Sequence, residues 1–183
     1  MQQYYDPWRD LPTGPQPPDI VYCVVEIPRG SQNKYEYHKE IGVITLSRVL
    51  FTAMYYPGDY GLIPQTRSRD GDALDILVMV SEPTFPGCVI EARPIGIFHL
   101  LDRGDEDNKI LAVPSTDPLF DSYQSLADVA PHFLNQVGHF FETYKQLEGA
   151  KVEAKGWGDA QAAKERILDA MCLYQENRAT GHL

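Results

Sequence analysis

Residues 70–80 read Asp70-Gly71-Asp72-Ala73-Leu74-Asp75-Ile76-Leu77-Val78-Met79-Val80. An acidic, glycine-containing turn runs directly into an apolar stretch, the form of a strand entered from a polar loop. The same alternation recurs on both sides. Short runs at 20–27, 35–37, 42–46, 76–80, 88–93, 95–101 and 110–113 are set apart by Pro, Gly and Asp, and each is predicted as a strand. Helical spacing begins only after residue 120. Over 131–148, Phe133, Leu134, Val137, Phe140, Phe141, Tyr144 and Leu147 fall on one stripe, with Pro131 suited to a first turn. A second helix is predicted from an Asp159 cap to about residue 176, with Ala163, Ile167, Leu168 and Met171 inward. Strands first and helices last predict an α+β fold: a small OB-like closed or partly open β-barrel with two longer C-terminal helices packed outside.

The chain has 183 residues and a formal net charge of −10. That balance argues against a nucleic-acid partner, which needs a basic surface. An anionic ligand would have to be held by local Lys, Arg or metal ions. Cys23, Cys88 and Cys172 have no paired spacing, which excludes a disulfide framework or zinc site. The start of the chain has no basic and apolar signal pattern, and no run reaches membrane-spanning length, so the expected compartment is cytoplasmic with no membrane partner. Five prolines within 1–18 mark a proline-rich, extended N-terminal arm, leaving 19–183 as a single domain.

Three carboxylates within 70–75 repel one another unless a cation lies between them, and hard oxygen donors suit Mg²⁺ or Mn²⁺. A solvated acidic turn is the plainer alternative, and the offsets exclude an EF-hand loop. A second acidic cluster, Asp102-Arg103-Gly104-Asp105-Glu106-Asp107-Asn108-Lys109, also lies between strands; alone it reads equally as a polar hairpin loop. The tyrosines of 55–60 either fill a core edge or offer hydroxyls to phosphate. Lys34 and Glu36 share one strand face. Arg48 and Lys145 read as surface cations, and Tyr144 as core. His38, His99, His132, His139 and His182 show no metal-ligand spacing. No phosphate loop, dinucleotide fingerprint or nucleophile elbow is present.

Taken together and in order, these stretches resemble the family I soluble inorganic pyrophosphatases of the bacterial type. The likeness runs from about Ile20 to Met171. It rests on 25–28, 34–36, 56–61, 70–78, 86–87, 93–96, 102–109, 112–114 and Phe140-Phe141-Glu142-Thr143-Tyr144-Lys145. The resemblance implies hydrolysis of pyrophosphate to two phosphates by attack of a metal-activated water. It implies that Asp70, Asp75, Asp102 and Asp107 are metal ligands, and that Glu26, Glu36 and Tyr56 support them. By the same likeness Lys34, Arg48, Tyr60, Lys109, Tyr144 and Lys145 bind substrate, and Asp72 orients and deprotonates the water. It further implies a homo-hexamer and Mg²⁺, with Mn²⁺ as a possible substitute. Arg103 departs from the family pattern, as does the length of the arm. Every matched residue lies downstream of the arm, so its removal is expected to leave hydrolysis largely intact.

A charge count fits this assignment. The seven carboxylates named above face four Lys and Arg cations. With a tetra-anionic substrate, roughly three or four divalent ions neutralise the site. The alternatives are a metal-dependent phosphohydrolase of organic phosphates, a non-catalytic oligonucleotide-binding barrel, and an inactive metal-binding relative.

Overall fold

Alternate side chains along each apolar run face opposite sides, so every strand can feed two different packing layers. The computed structural model describes residues 5–181, and His182 lies outside them. A helical turn, α1 (Pro7–Asp10), precedes β1 (Val21–Ile27), β2 (Asn33–His38), β3 (Val43–Val49), β4 (Asp59–Ile63) and β5 (Leu74–Val78). Then come β6 (Val89–Asp102), β7 (Asp105–Glu106), β8 (Lys109–Pro114), α2 (Pro131–Thr143), β9 (Val152–Gly158) and α3 (Ala160–Ala179). The main sheet runs β1-β4-β5-β8-β6-β7, with β9 on β6 and a further β1–β6 pairing that brings the order back to its start. This is the OB-like barrel with C-terminal helices. β2 and β3 form a separate hairpin.

One layer gathers Val21, Cys23, Ile76, Val78, Ile90 and Ile110 under Ala163, Ile167 and Ala170 of α3. The other gathers Tyr60, Leu77, Leu111 and Val113 under Val137, Phe140 and Phe141 of α2. Burying one such Ile or Leu contributes about 1.5–3 kcal/mol. Gly61 is required where β4 meets β1, because a Cβ there would lie 2.0 Å from the Val24 carbonyl oxygen.

Several boundaries differ from the sequence reading. The runs at 88–93 and 95–101 form one 14-residue strand; Pro94 sits at its register shift, where a missing N–H is tolerated. β4 and β9 were not predicted, because their glycines hide the alternation. α2 stops at Thr143, so Leu147 lies on a separate turn and is 71% exposed. In α3, Leu168 is exposed, and Ala170 and Tyr174 take the inward places. The arm, predicted extended, contains α1, capped by Asp6, with Trp8 buried. Among the described residues no helix is long and apolar enough to cross a membrane.

Candidate active site

The parallel pairing of β5 and β8 sets Asp75 opposite Lys109. Leu74, Ile76 and Val78 face the α3 layer, so Asp75 faces the other way, beside Tyr60 and Leu77. A cleft of about 510 Å³ opens there. The buried Lys109 ammonium sits 2.5 Å from both Asp75 Oδ2 and Asp107 Oδ1. Burial would lower its pKa, but the two carboxylates win and hold it above the usual lysine range. Burial raises the Asp75 carboxyl despite Lys109 and a hydrogen bond from the Tyr60 hydroxyl. Asp107 also feels burial, yet Lys109 and then Lys145 draw it below its ordinary value.

Glu26 is the penultimate residue of β1, where Oε1 accepts the Tyr37 N–H of the hairpin at 2.7 Å. Burial pushes its pKa from 4.5 to about 8. Below pH about 4.5 the carboxyl is protonated in both folded and unfolded chains. Between 4.5 and about 8 only the folded chain keeps the proton, so stability falls as pH rises through this window. In chelator, wild type should therefore lose on the order of a few kcal/mol relative to Glu26→Gln between pH 4.5 and 8. Urea unfolding of both proteins at the two ends of the window checks this. A wild-type-minus-variant difference that is constant with pH would contradict it.

The structure brings most of the predicted residues to this cleft. Asp70, Asp72, Asp102, Lys34, Glu36, Tyr144 and Lys145 line it with those already named. Lys34 pairs with Glu36 along β2. Lys145 Nζ lies 2.6 Å from Asp102 Oδ2. Tyr144 caps α2 with its N–H still on the Phe140 carbonyl and stays on the apolar stripe, and the chain leaves helical geometry at Lys145, so that both line the cleft. Arg103 and Gly104 form the left-handed tip of the β6–β7 hairpin, with φ of 53° and 99°.

Two predicted residues stand apart from the cleft lining. Arg48 is held by Glu148, with Nε 3.0 Å from Oε1 and Nη2 2.9 Å from Oε2. Tyr56 is packed on Phe140 and Tyr60, with ring centroids 4.8 and 5.4 Å away. Sequence reading passed over Trp8, Lys39, Asp105 and Glu106, which also line the cleft. Asp105 and Glu106 lay within an acidic cluster already noted. Lys39 carries no local signal.

The donor set fits hard divalent cations: oxygen donors only, crowded with negative charge. Asp102 Oδ1 is buried without a hydrogen-bond partner, an acceptor that a cation would satisfy. Among the described residues no three ligating side chains converge on one point. The ammoniums of Lys109 and Lys145 hold the nearest carboxylates instead.

The inorganic pyrophosphatase family model matches residues 23–175. This chain belongs to the inorganic pyrophosphatase family. An inorganic pyrophosphatase of Haloferax volcanii is 50% identical over 173 residues, covering 94% of this chain and 98% of that protein. One from Halalkalibacterium halodurans is 51% identical over 158 residues, covering 86% and 97%. The crystal structure of the Thermus thermophilus inorganic pyrophosphatase superposes with a TM-score of 0.87 at 43% identity, covering 90% of this chain and 97% of that one. The likeness to inorganic pyrophosphatases spans the barrel and both covering helices, and so includes every element that lines the cleft from β1 onward.

Proposed function

We propose that this chain hydrolyses pyrophosphate to two phosphates in the cleft between β5, β8 and the end of α2. One observation carries the reading: nine carboxylates and four lysines from distant parts of the sequence meet in a single cleft, in a chain whose relatives are inorganic pyrophosphatases. Asp70, Asp75, Asp102 and Asp107 would hold Mg²⁺, three to four ions during turnover, with Mn²⁺ as a substitute; Glu26, Glu36 and Tyr56 support them. Bound there, the metal supplies charge neutralisation and lowers the pKa of a coordinated water.

The chain's own residues do the rest. Lys34, Lys109, Tyr60, Tyr144 and Lys145 bind the two phosphates. The lysine charges, with the tyrosine O–H groups as donors, stabilise the oxygens on which negative charge accumulates as the bridging P–O bond breaks. The water oxygen forms the new P–O bond, and Asp72 takes its proton. No covalent intermediate is needed.

Lys34→Ala and Lys145→Ala should each cost about 1.5–3 kcal/mol in kcat/KM, or roughly ten- to a hundredfold. Arg48 reaches phosphate only by releasing Glu148, so Arg48→Ala should cost less than either. Steady-state kinetics at saturating Mg²⁺ rank the three, and equal losses would put Arg48 directly on substrate.

Phosphate release from pyrophosphate, with ATP and a phosphate monoester as controls, tests the function itself. Strong preference for pyrophosphate is expected. Comparable rates on the controls would favour a phosphohydrolase of organic phosphates. We further propose a homo-hexamer in the cytoplasm, for which light scattering should report six chains. The exposed His132 and His139 of α2 are candidates for its contacts.

A further inference from the structure

Trp8 and Lys39 both line the cleft, yet the chemistry above uses neither. Trp8 enters from α1, whose cap Asp6 accepts the Trp8 N–H at 2.9 Å. The indole is 1% exposed and packs among Tyr37, Leu62, Ala73 and Tyr174. Its ring N–H donates to the Thr66 carbonyl at 2.8 Å. The Trp8 carbonyl accepts the N–H of Gln65, a residue held at φ 51°. The Thr66 hydroxyl in turn accepts the N–H of Leu74 at 3.0 Å, one residue before Asp75. The arm thus grips the start of the segment that carries Asp70, Asp72 and Asp75, and Thr66 ties that start to Leu74.

Lys39 follows β2 and reaches across to the same segment. Its ammonium stands 4.4 Å from the Trp8 ring centroid, on the indole face. It also lies 2.7 Å from Asp72 Oδ1 and 3.2 Å from the Gly71 carbonyl oxygen. Asp72 is otherwise 72% exposed at its side chain, on a turn held by its own short-range bonds, Ser68 N–H to the Asp72 carbonyl and Asp72 N–H to Asp70 Oδ1. A carboxylate on such a turn has many rotamers open to it. An ammonium seated on a buried aromatic face restricts that choice, because the cation–π contact and the charge-assisted bond are satisfied together in one geometry.

We propose that Trp8 and Lys39 form a latch that positions Asp72 over the cleft, which makes the N-terminal arm a working part of the active site. The proposal rests on the reading of Asp72 as the residue that takes the water's proton. An arm without consequence for hydrolysis, expected from sequence, no longer follows. Lys39 and Trp8 are positioning residues and do not touch substrate.

The test is steady-state kinetics of the full chain at saturating Mg²⁺. Lys39→Met keeps the length and the packing on Trp8 but removes the charge. It should lower kcat by between about tenfold and about a hundredfold. KM for pyrophosphate and the thermal midpoint should stay near wild type, and Lys39→Arg should recover most of the loss. Trp8→Leu should lower kcat in the same way, since Lys39 loses its seat. Adding Lys39→Met to Asp72→Asn should cause no further loss, because the latch acts through Asp72. Wild-type kcat for Lys39→Met, beside an impaired Asp72→Asn, overturns the latch alone. So does full additivity of the two substitutions, or a raised KM with unchanged kcat. Wild-type kcat for Asp72→Asn overturns the proton-transfer reading itself, and the latch with it.

Discussion

Asp72→Asn should lower the maximal rate by about 10²–10⁴-fold at saturating Mg²⁺, the usual worth of general-base assistance. Asn keeps the size and shape of Asp but loses the charge and nearly all the basicity. Asp72 stands on an exposed turn, and it forms an ion pair with Lys39. Asp75 is set differently: it lies within the cleft wall between Lys109 and the Tyr60 hydroxyl. Asp75→Asn should therefore weaken metal binding, and excess Mg²⁺ should restore part of its activity. Asp72→Asn should not respond in this way. The pH–rate profile of Asp72→Asn should also change on its acid limb, where the water's own ionisation takes over control. Metal titrations and pH profiles of the two variants separate ligand from base. Full rescue of Asp72→Asn by added Mg²⁺ would make Asp72 a ligand.

Removing the metal should abolish activity altogether. The cleft is lined by nine carboxylates against four lysines and Arg103, so a tetra-anion entering it without divalent ions meets net repulsion. Excess chelator should bring phosphate release to background, and Mg²⁺ should restore it. Ca²⁺ should bind the same oxygens and inhibit, because its longer bonds and higher coordination number place ligands differently. Full activity in excess chelator would exclude this chemistry. Isothermal titration of the chelated protein with Mg²⁺ gives a second readout that does not depend on turnover.

The chemistry of the cleft was legible in the chain because it comes in short clusters. Asp70-Gly71-Asp72 and Asp102 through Lys109 are local concentrations of charge at strand ends, visible without knowing the fold. Tyr144 and Lys145 were legible only through resemblance, since periodicity alone placed Tyr144 in the core and Lys145 in solvent. Both readings hold in part: Tyr144 is 5% exposed and stacked on Phe140, yet its place at the broken end of α2 puts it on the cleft wall. α1 carried a signal that went unused, an Asp-Pro start ahead of a tryptophan.

By itself the sequence determined the α+β order, the apolar runs of β5 and β8, the two acidic clusters and the net negative charge. These depend on neighbours within a few residues, where periodicity and composition act. Only the tertiary structure decided that Asp75 faces Lys109 across a parallel pair, that Glu148 restrains Arg48, and that Trp8 and Lys39 close on Asp72. Each of these contacts joins residues more than thirty positions apart, and Lys39 links Trp8 to Asp72 from midway along the interval between them. Strand register and helix packing bring such residues together, and no local pattern records the distance that the chain has folded across.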